Sequence, residues 1–218
     1  MATLAERLAE LRAAIAKACA HSGRTPDAVT LIAVSKLQPA SAVREALRCG
    51  QRDFGENYAQ ELRDKAAALI GPTPEWHFIG RLQTNKVRLV DRVVSLWQSV
   101  DRAAPADRIA QRAPGAAVLV QVDLAGLAGR GGCPPEEVPG LVEHCRGRGL
   151  DVRGLMGVGP PGPAEEARPG FRLLTSIAED LGLEERSMGM SGDLDVAIEA
   201  GSTMVRVGSA LVGPRAPR

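Results

Sequence analysis

Aromatic residues are scarce: two tryptophans, one tyrosine and three phenylalanines make up 3% of the chain. That weakens any reading as a single-strand nucleic-acid binder, which stacks bases on aromatic faces. Charge of one sign is also missing. Lys and Arg total 27 against 26 acids, for a formal net charge of +1. No long Lys/Arg run stands out, so there is no electrostatic footprint for nucleic acid or a membrane surface. The four cysteines, Cys19, Cys49, Cys133 and Cys145, form no C-x-x-C pair and fit no zinc spacing. They read as reduced thiols of a cytoplasmic protein. No apolar run approaches a membrane span. The opening MATLAERLAELRAAIAKACA is interrupted at once by charges, which leaves no signal-peptide core.

What is present is ordinary in amount and regular in order. The chain has 218 residues, 44% hydrophobic and 24% charged, enough to bury a sizeable core without disulfides or metals. Leu4, Leu8, Leu11, Ile15 and Cys19 share one face of a leading amphipathic helix. Thr3 with Glu6 forms a capping-box pattern at its start. Strands and helices then alternate. VTLIAVSK from Val29 reads as a buried strand, and Ser41 to Cys49 as a helix stopped by Gly50. A strand at Arg52–Phe54 precedes a helix over Tyr58–Leu69. WHFI, Trp76–Ile79, precedes a helix near Thr84–Val90. Val93–Val100 precedes a helix near Ala104–Gln111. AAVLVQVDL from Ala116 precedes a helix near Glu136–Arg146, and LDVRGLMGV from Leu150 one near Phe171–Leu181. A short strand near Arg186–Met190 precedes a helix over Leu194–Ala200, and TMVRVG from Thr203 follows. PPGPAEEARPG, Pro160–Gly170, reads as a loop.

This is about eight strand-then-helix units, so the strands should be parallel, and eight close into a single (β/α)8 barrel of the TIM type with an extra N-terminal helix. An open doubly wound sheet is the runner-up. Near-equal units without a half-way reversal favour closure.

Barrel chemistry sits at the C-terminal strand ends. Lys36 ends the first strand, Glu56 and Asn57 follow the second, and His77 lies in the third. Ser99 and Asp101 end the fourth, Gln121 and Asp123 the fifth, and Met156 the sixth. The loop after the seventh is GMSGD, with Ser191, and the eighth ends in Arg206, Gly208 and Ser209. Burial of Lys36 at a barrel mouth would make its amine a better nucleophile for an aldehyde. The small residues and hydroxyls of MSGD and VGSA stand where such barrels bind phosphate. Arg206 shares its face with Gly208 and points inward. It either pairs with an internal acid, Asp123 or Glu56, or donates to a ligand. His77 is either a satisfied core imidazole or a ligand contact. His21 and His144 read as surface residues, and Trp76 and Trp97 as core. Glu56 reads as a cap for the following helix.

FGENYAQE (Phe54–Glu61), WHFIGRLQTNK (Trp76–Lys86), SMGMSGDLDVAIEAGSTMVRVG (Ser187–Gly208) and AVSKLQP around Lys36 resemble the pyridoxal phosphate homeostasis protein family, the YggS/PROSC group. The likeness spans nearly the whole chain. It implies a barrel like the N-terminal domain of alanine racemase and a pyridoxal 5′-phosphate (PLP) cofactor held as a Schiff base on Lys36. It further implies that Ser191, Gly208 and Ser209 hold the phosphate and that Arg206 faces the pyridine nitrogen. Asn57 and His77 would lie near the ring, and Met188 and Met190 would wall the site. The stretch QVDLAGLAGRGG departs from the family pattern: Asp123 replaces an Asn, Leu127 an acid and Arg130 a Lys. LVGPR lacks the family's usual Phe.

An Arg opposite the pyridine nitrogen stays charged and cannot take a proton from it, which argues against transaminases and decarboxylases. Alanine racemase adds a second domain that supplies a catalytic Tyr. Here Tyr58, the one tyrosine, sits early in the helix after the second strand, and about ten residues follow the eighth strand, on a (β/α)8 count. No second base of that kind is found. The sequence therefore points to a non-catalytic PLP carrier acting in cytoplasmic vitamin B6 homeostasis. A small PLP-dependent racemase is the alternative. PLP-dependent apoenzymes would be transient partners, and a monomer is expected.

Overall fold

A computed structural model describes residues 2–71, 73–127 and 131–212, without the side chains of Ser209 and Val212. Helix α1, Leu4–His21, opens the chain. Thr3 accepts from the Glu6 amide while the Glu6 carboxylate accepts from the Thr3 amide, so the expected capping box is made. Leu4, Leu8, Ile15 and Cys19 are buried as the periodicity predicts, and Leu11 is half-buried.

Eight parallel strands follow in order: β1 Thr30–Val34, β2 Asp53–Glu56, β3 Glu75–Phe78, β4 Val94–Val100, β5 Ala117–Val122, β6 Asp151–Gly157, β7 Glu185–Ser187 and β8 Met204–Val207. Each pairs with the next, and β8 pairs with β1, so the sheet is a closed barrel and the open-sheet alternative is excluded. The run AVLV that opens β5 is apolar at four consecutive positions because both faces are covered. Between the strands lie α2 Ala40–Arg48, α3 Ala59–Ala68, α4 Thr84–Val87, α5 Ala103–Arg112, α6 Val138–Gly147, α7 Arg168–Asp180 and α8 Leu194–Glu199. The last, α9 Ser209–Val212, follows β8.

Several boundaries differ from the sequence expectation: β2 runs on to Glu56, β7 ends at Ser187, and two helices shift. The Pro160–Gly170 segment is only partly loop. A 3-10 turn over Ala164–Ala167 runs into α7 at Arg168, because Pro169 sits in the first turn, where its missing N–H loses no bond. The helix after β3 closes after Val87, and turns carry the chain to β4.

Alternation along each strand divides the core. Phe54, Trp76, Phe78 and Trp97 pack outward among the helices, with Phe54 on Trp76 and Phe78 on Trp97. A second cluster of Ile32, Leu96, Ala117, Leu119, Met156 and Met204 fills the barrel. The expected core tryptophans are therefore core. The cysteines are free thiols, His21 is exposed, and His144 lies 2.9 Å from Asp107 at the surface. Among the described residues no helix is long and apolar enough to cross a membrane, and no group of His, Cys, Asp and Glu is arranged to hold a metal.

Candidate active site at the barrel mouth

Lys36 lies two residues beyond the end of β1, after Ser35, and is half-buried. Its neighbours are held on both sides. The Ser35 carbonyl accepts from Lys65 Nζ at 2.6 Å, and the Ser35 hydroxyl donates to Glu56 Oε1 at 2.7 Å. The Leu37 amide donates to Glu61 Oε1 at 2.6 Å. Leu37 has φ 63°, the left-handed region that non-glycine residues rarely occupy. Lys65 is buried and also bonds Glu56 and Glu61, each at 2.6 Å. One buried ion triad from β2 and α3 thus clamps the peptide units on both sides of Lys36.

This corrects one sequence reading. Glu56 does not cap α3, whose start has no side-chain cap. It is fully buried and pairs with Lys65. Burial pushes its carboxyl up, against the pull of Lys65 and of the hydrogen bonds from Lys65 and Ser35. Lys65 was missed because a lysine in a charged helical stretch reads as surface. Its spacing of four from Glu61 was the available signal.

Arg206 points into the barrel, as predicted, and is 5% exposed. Neither Asp123 nor Glu56 pairs with it. Its guanidinium donates to Ser187 Oγ at 2.6 Å and to the Gly157 carbonyl, at the C-terminal end of β6, at 2.8 Å. Among the described residues no carboxylate lies within ion-pair distance of it. Burial lowers its pKa to about 10, opposed by the more distant charge of Asp193. A cation among neutral oxygens at a barrel mouth suits an anionic or heteroaromatic ligand.

The loops after β7 and β8 adjoin β1. Arg206 registers with Ile32 and Val207 with Ala33, and a Cβ on Gly208 would first meet Val34 at 3.6 Å. Gly208 therefore lies in the same sector of the rim as Lys36. Ser191 is exposed on the adjoining loop, where the Met190 amide donates to Asp193 at 2.6 Å. The Ser209 side chain lies outside the described residues. Asn57 leads from β2 to α3, and its Oδ1 is buried without a partner among the described residues. Gly80 is packed so closely that a Cβ would lie 2.1 Å from the Asn57 carbonyl oxygen. Ser99 holds the same loop by donating to the Gly80 carbonyl at 2.5 Å.

The remaining predicted residues fall elsewhere. Met188 is fully buried in the core cluster shared with the helices, next to inward-facing Ser187, and Met190 is exposed. His77 is buried with both ring nitrogens engaged, one by Gln98 at 2.7 Å and one by Asp53 at 3.2 Å. It is thus a satisfied core imidazole. Asp123 serves its own loop, accepting from the Ala125 and Gly126 amides. Leu127 is exposed, and Arg130 and the Gly213–Arg215 part of LVGPR lie outside the described residues. Tyr58 is 52% exposed.

A lysine amine and a buried guanidinium at one end of a closed barrel suit a phosphorylated aldehyde, and comparison with known proteins agrees. Residues 7–216 match the family model for the alanine racemase N-terminal domain. The pyridoxal phosphate homeostasis protein of Pseudomonas aeruginosa is 43% identical over 223 residues, 99% of this chain and 97% of that one. The chain belongs to the pyridoxal phosphate homeostasis protein family. The Escherichia coli K12 member of this family is 40% identical over 99% of this chain and 98% of its own. A solved structure, PipY of Synechococcus elongatus, is 36% identical, with 97% of this chain and 100% of that chain covered. It superposes with a TM-score of 0.86 without PLP and 0.80 with PLP bound. Alanine racemase of Clostridium difficile, 16% identical with a TM-score of 0.64, shares the fold, and this chain covers 51% of it.

Proposed function

We propose that this protein binds PLP at the C-terminal mouth of the barrel, with Lys36 as its anchor, and acts as a non-catalytic carrier in cytoplasmic vitamin B6 homeostasis. The observation that carries the reading is the pairing of a clamped Lys36 with a buried, carboxylate-free Arg206 at one barrel end. When bound, PLP supplies an aldehyde for the Lys36 amine and a pyridine ring that can withdraw electrons. Asn57 presents an unpartnered acceptor at the mouth. Gly208 leaves room beside Val34, and it would hold the phosphate together with Ser191 and Ser209. Arg206 would face the ring nitrogen as a permanent donor and would leave that nitrogen unprotonated, which suits storage better than carbanion chemistry. The protein acts as a monomer and meets PLP-dependent apoenzymes transiently.

The test is the visible spectrum of the purified protein with added PLP, before and after borohydride, with mass spectrometry of the labelled peptide. A reduced pyridoxyl adduct on Lys36 is expected. No band and no adduct would overturn the reading. Steady α-proton exchange of alanine or serine, lost in Lys36→Ala, would replace the carrier by a racemase.

A further inference from the structure

Five polar side chains on five strands form an unbroken chain across the barrel interior. Arg206 on β8 bonds Ser187 on β7 at 2.6 Å, and Ser187 bonds Gln98 on β4 at 2.7 Å. Gln98 bonds His77 on β3 at 2.7 Å, and His77 meets Asp53, the first residue of β2, at 3.2 Å. The guanidinium end reaches the last residue of β6, at the mouth. The carboxylate end lies at the opposite floor. Apolar Leu96, Leu119, Met156 and Met204 share this interior. The links from Arg206 to His77 are therefore shielded from water and strengthened by low polarity, while Asp53 at the floor is partly exposed.

Donor and acceptor chemistry gives the chain one direction. Arg206 can only donate, so the Ser187 oxygen accepts and its hydroxyl hydrogen passes to Gln98 Oε1. That orientation turns the Gln98 amide nitrogen toward His77 Nδ1 and Met204 Sδ. Nδ1 must then be bare, which leaves the proton on Nε2, aimed at the Asp53 carboxylate. Every member donates to the next, from a fixed cation to a fixed anion.

We infer that Ser187, Gln98 and His77 are positioning residues for Arg206, held in one donor direction by neutral Nε2–H His77, and that protonation of His77 reverses the Gln98 amide and is felt at Arg206. An imidazolium offers a hydrogen at Nδ1 where Gln98 already offers one. Rotation of the amide removes that conflict, but it takes Oε1 from the Ser187 hydroxyl and loosens the support of the guanidinium. The charged groups around His77 are Asp53 on β2 and Glu185 on β7, with Arg153 and Asp151 of β6 beside Glu185. Glu75 on its own strand is exposed. The effect on the cofactor rests on the PLP reading above, but the direction of the chain does not.

The experiment begins with 15N NMR of the full protein without PLP, His77 being assigned by its loss in His77→Asn. Expected are the Nε2–H tautomer for the neutral ring and an Arg206 Nε–Hε cross-peak that shifts when His77 gains its second proton. That shift should vanish in His77→Asn, whose side-chain oxygen accepts from Gln98 but gains no proton. A neutral Nδ1–H tautomer, or an Arg206 cross-peak that moves equally in wild type and His77→Asn, overturns the inference. With PLP added, the wild-type visible band should shift on protonation of His77 where that of His77→Asn holds, and Gln98→Leu should shift it without that protonation. Identical bands in all three across pH overturn the coupling to the cofactor. No band at all, beside an Nε2–H tautomer and a coupled Arg206 cross-peak, overturns the PLP reading and leaves the chain standing.

Discussion

The Lys65 ammonium lies 2.6 Å from the Ser35 carbonyl oxygen, one residue before Lys36. Glu61, which binds the same ammonium, also accepts from the amide one residue after Lys36. Removing either arm should loosen Lys36 by different amounts. Glu61→Ala should cost about 1–2 kcal/mol of stability, one or two hydrogen bonds' worth, and slow adduct formation at Lys36 several-fold. Lys65→Met leaves buried Glu56 without its cation and should cost about 3–5 kcal/mol. Urea titrations and borohydride trapping at fixed PLP measure both. An unchanged trapping rate in Glu61→Ala would show that the clamp does not position Lys36.

Leu37 sits at φ 63° beside Lys36. A left-handed conformation strains a leucine by about 1–2 kcal/mol, and glycine relieves it while freeing the unfolded chain. Leu37→Gly should therefore change stability by less than about 1 kcal/mol yet weaken retention of PLP, because the turn no longer resists rearrangement. Thermal melting and dialysis of the loaded protein separate the two effects.

Gly80 has no room for a methyl group against the Asn57 carbonyl. Gly80→Ala should destabilise the fold by about 2 kcal/mol or more through backbone displacement. It should also move Asn57 and lower affinity for PLP beyond the loss seen in stability. An affinity equal to wild type would exclude Asn57 from the site.

Glu185 at the barrel floor has an oxygen buried without a partner among the described residues. Burial raises its carboxyl above the ordinary 4.5, opposed chiefly by the charge of Arg153. The folded state thus favours the protonated acid. That stabilisation is complete below the ordinary value and is lost as pH rises through the raised one. Glu185→Gln, neutral throughout, should be more stable than wild type near neutral pH and converge with it in acid. Urea midpoints against pH would show it, and parallel curves would refute it.

Burial pushes the Cys133 and Cys145 thiols up to about 11, and Cys19 is fully buried. Thiolate is the reactive form. An aromatic disulfide reagent at neutral pH should modify half-buried Cys49 first and the other three only on unfolding. Fast modification of Cys133 or Cys145 in the native protein would contradict that burial.

Much of this was legible before folding. Periodicity located α1 and the eight strands, because each element answers to its own neighbours within a few residues. Lys36, Asn57 and Gly208 could be placed at the mouth because a parallel barrel brings all strand C-termini to one end. The roles of Glu56, Lys65 and His77 were less legible. Glu56 resembled a helix cap and Lys65 a surface charge, since each is judged locally by residue type.

The amino-acid order alone determined eight strand-then-helix units, their parallel direction and the placing of Lys36 and Arg206 at strand ends, whereas the β8–β1 pairing that closes the sheet is a fact of the tertiary structure. Closure and register settled what supports those two residues. Ser187 and Gln98 are 89 residues apart in the chain, and no local period relates them. They meet because β7 and β4 face each other across a closed interior, where a buried donor must find an acceptor wherever the fold supplies one.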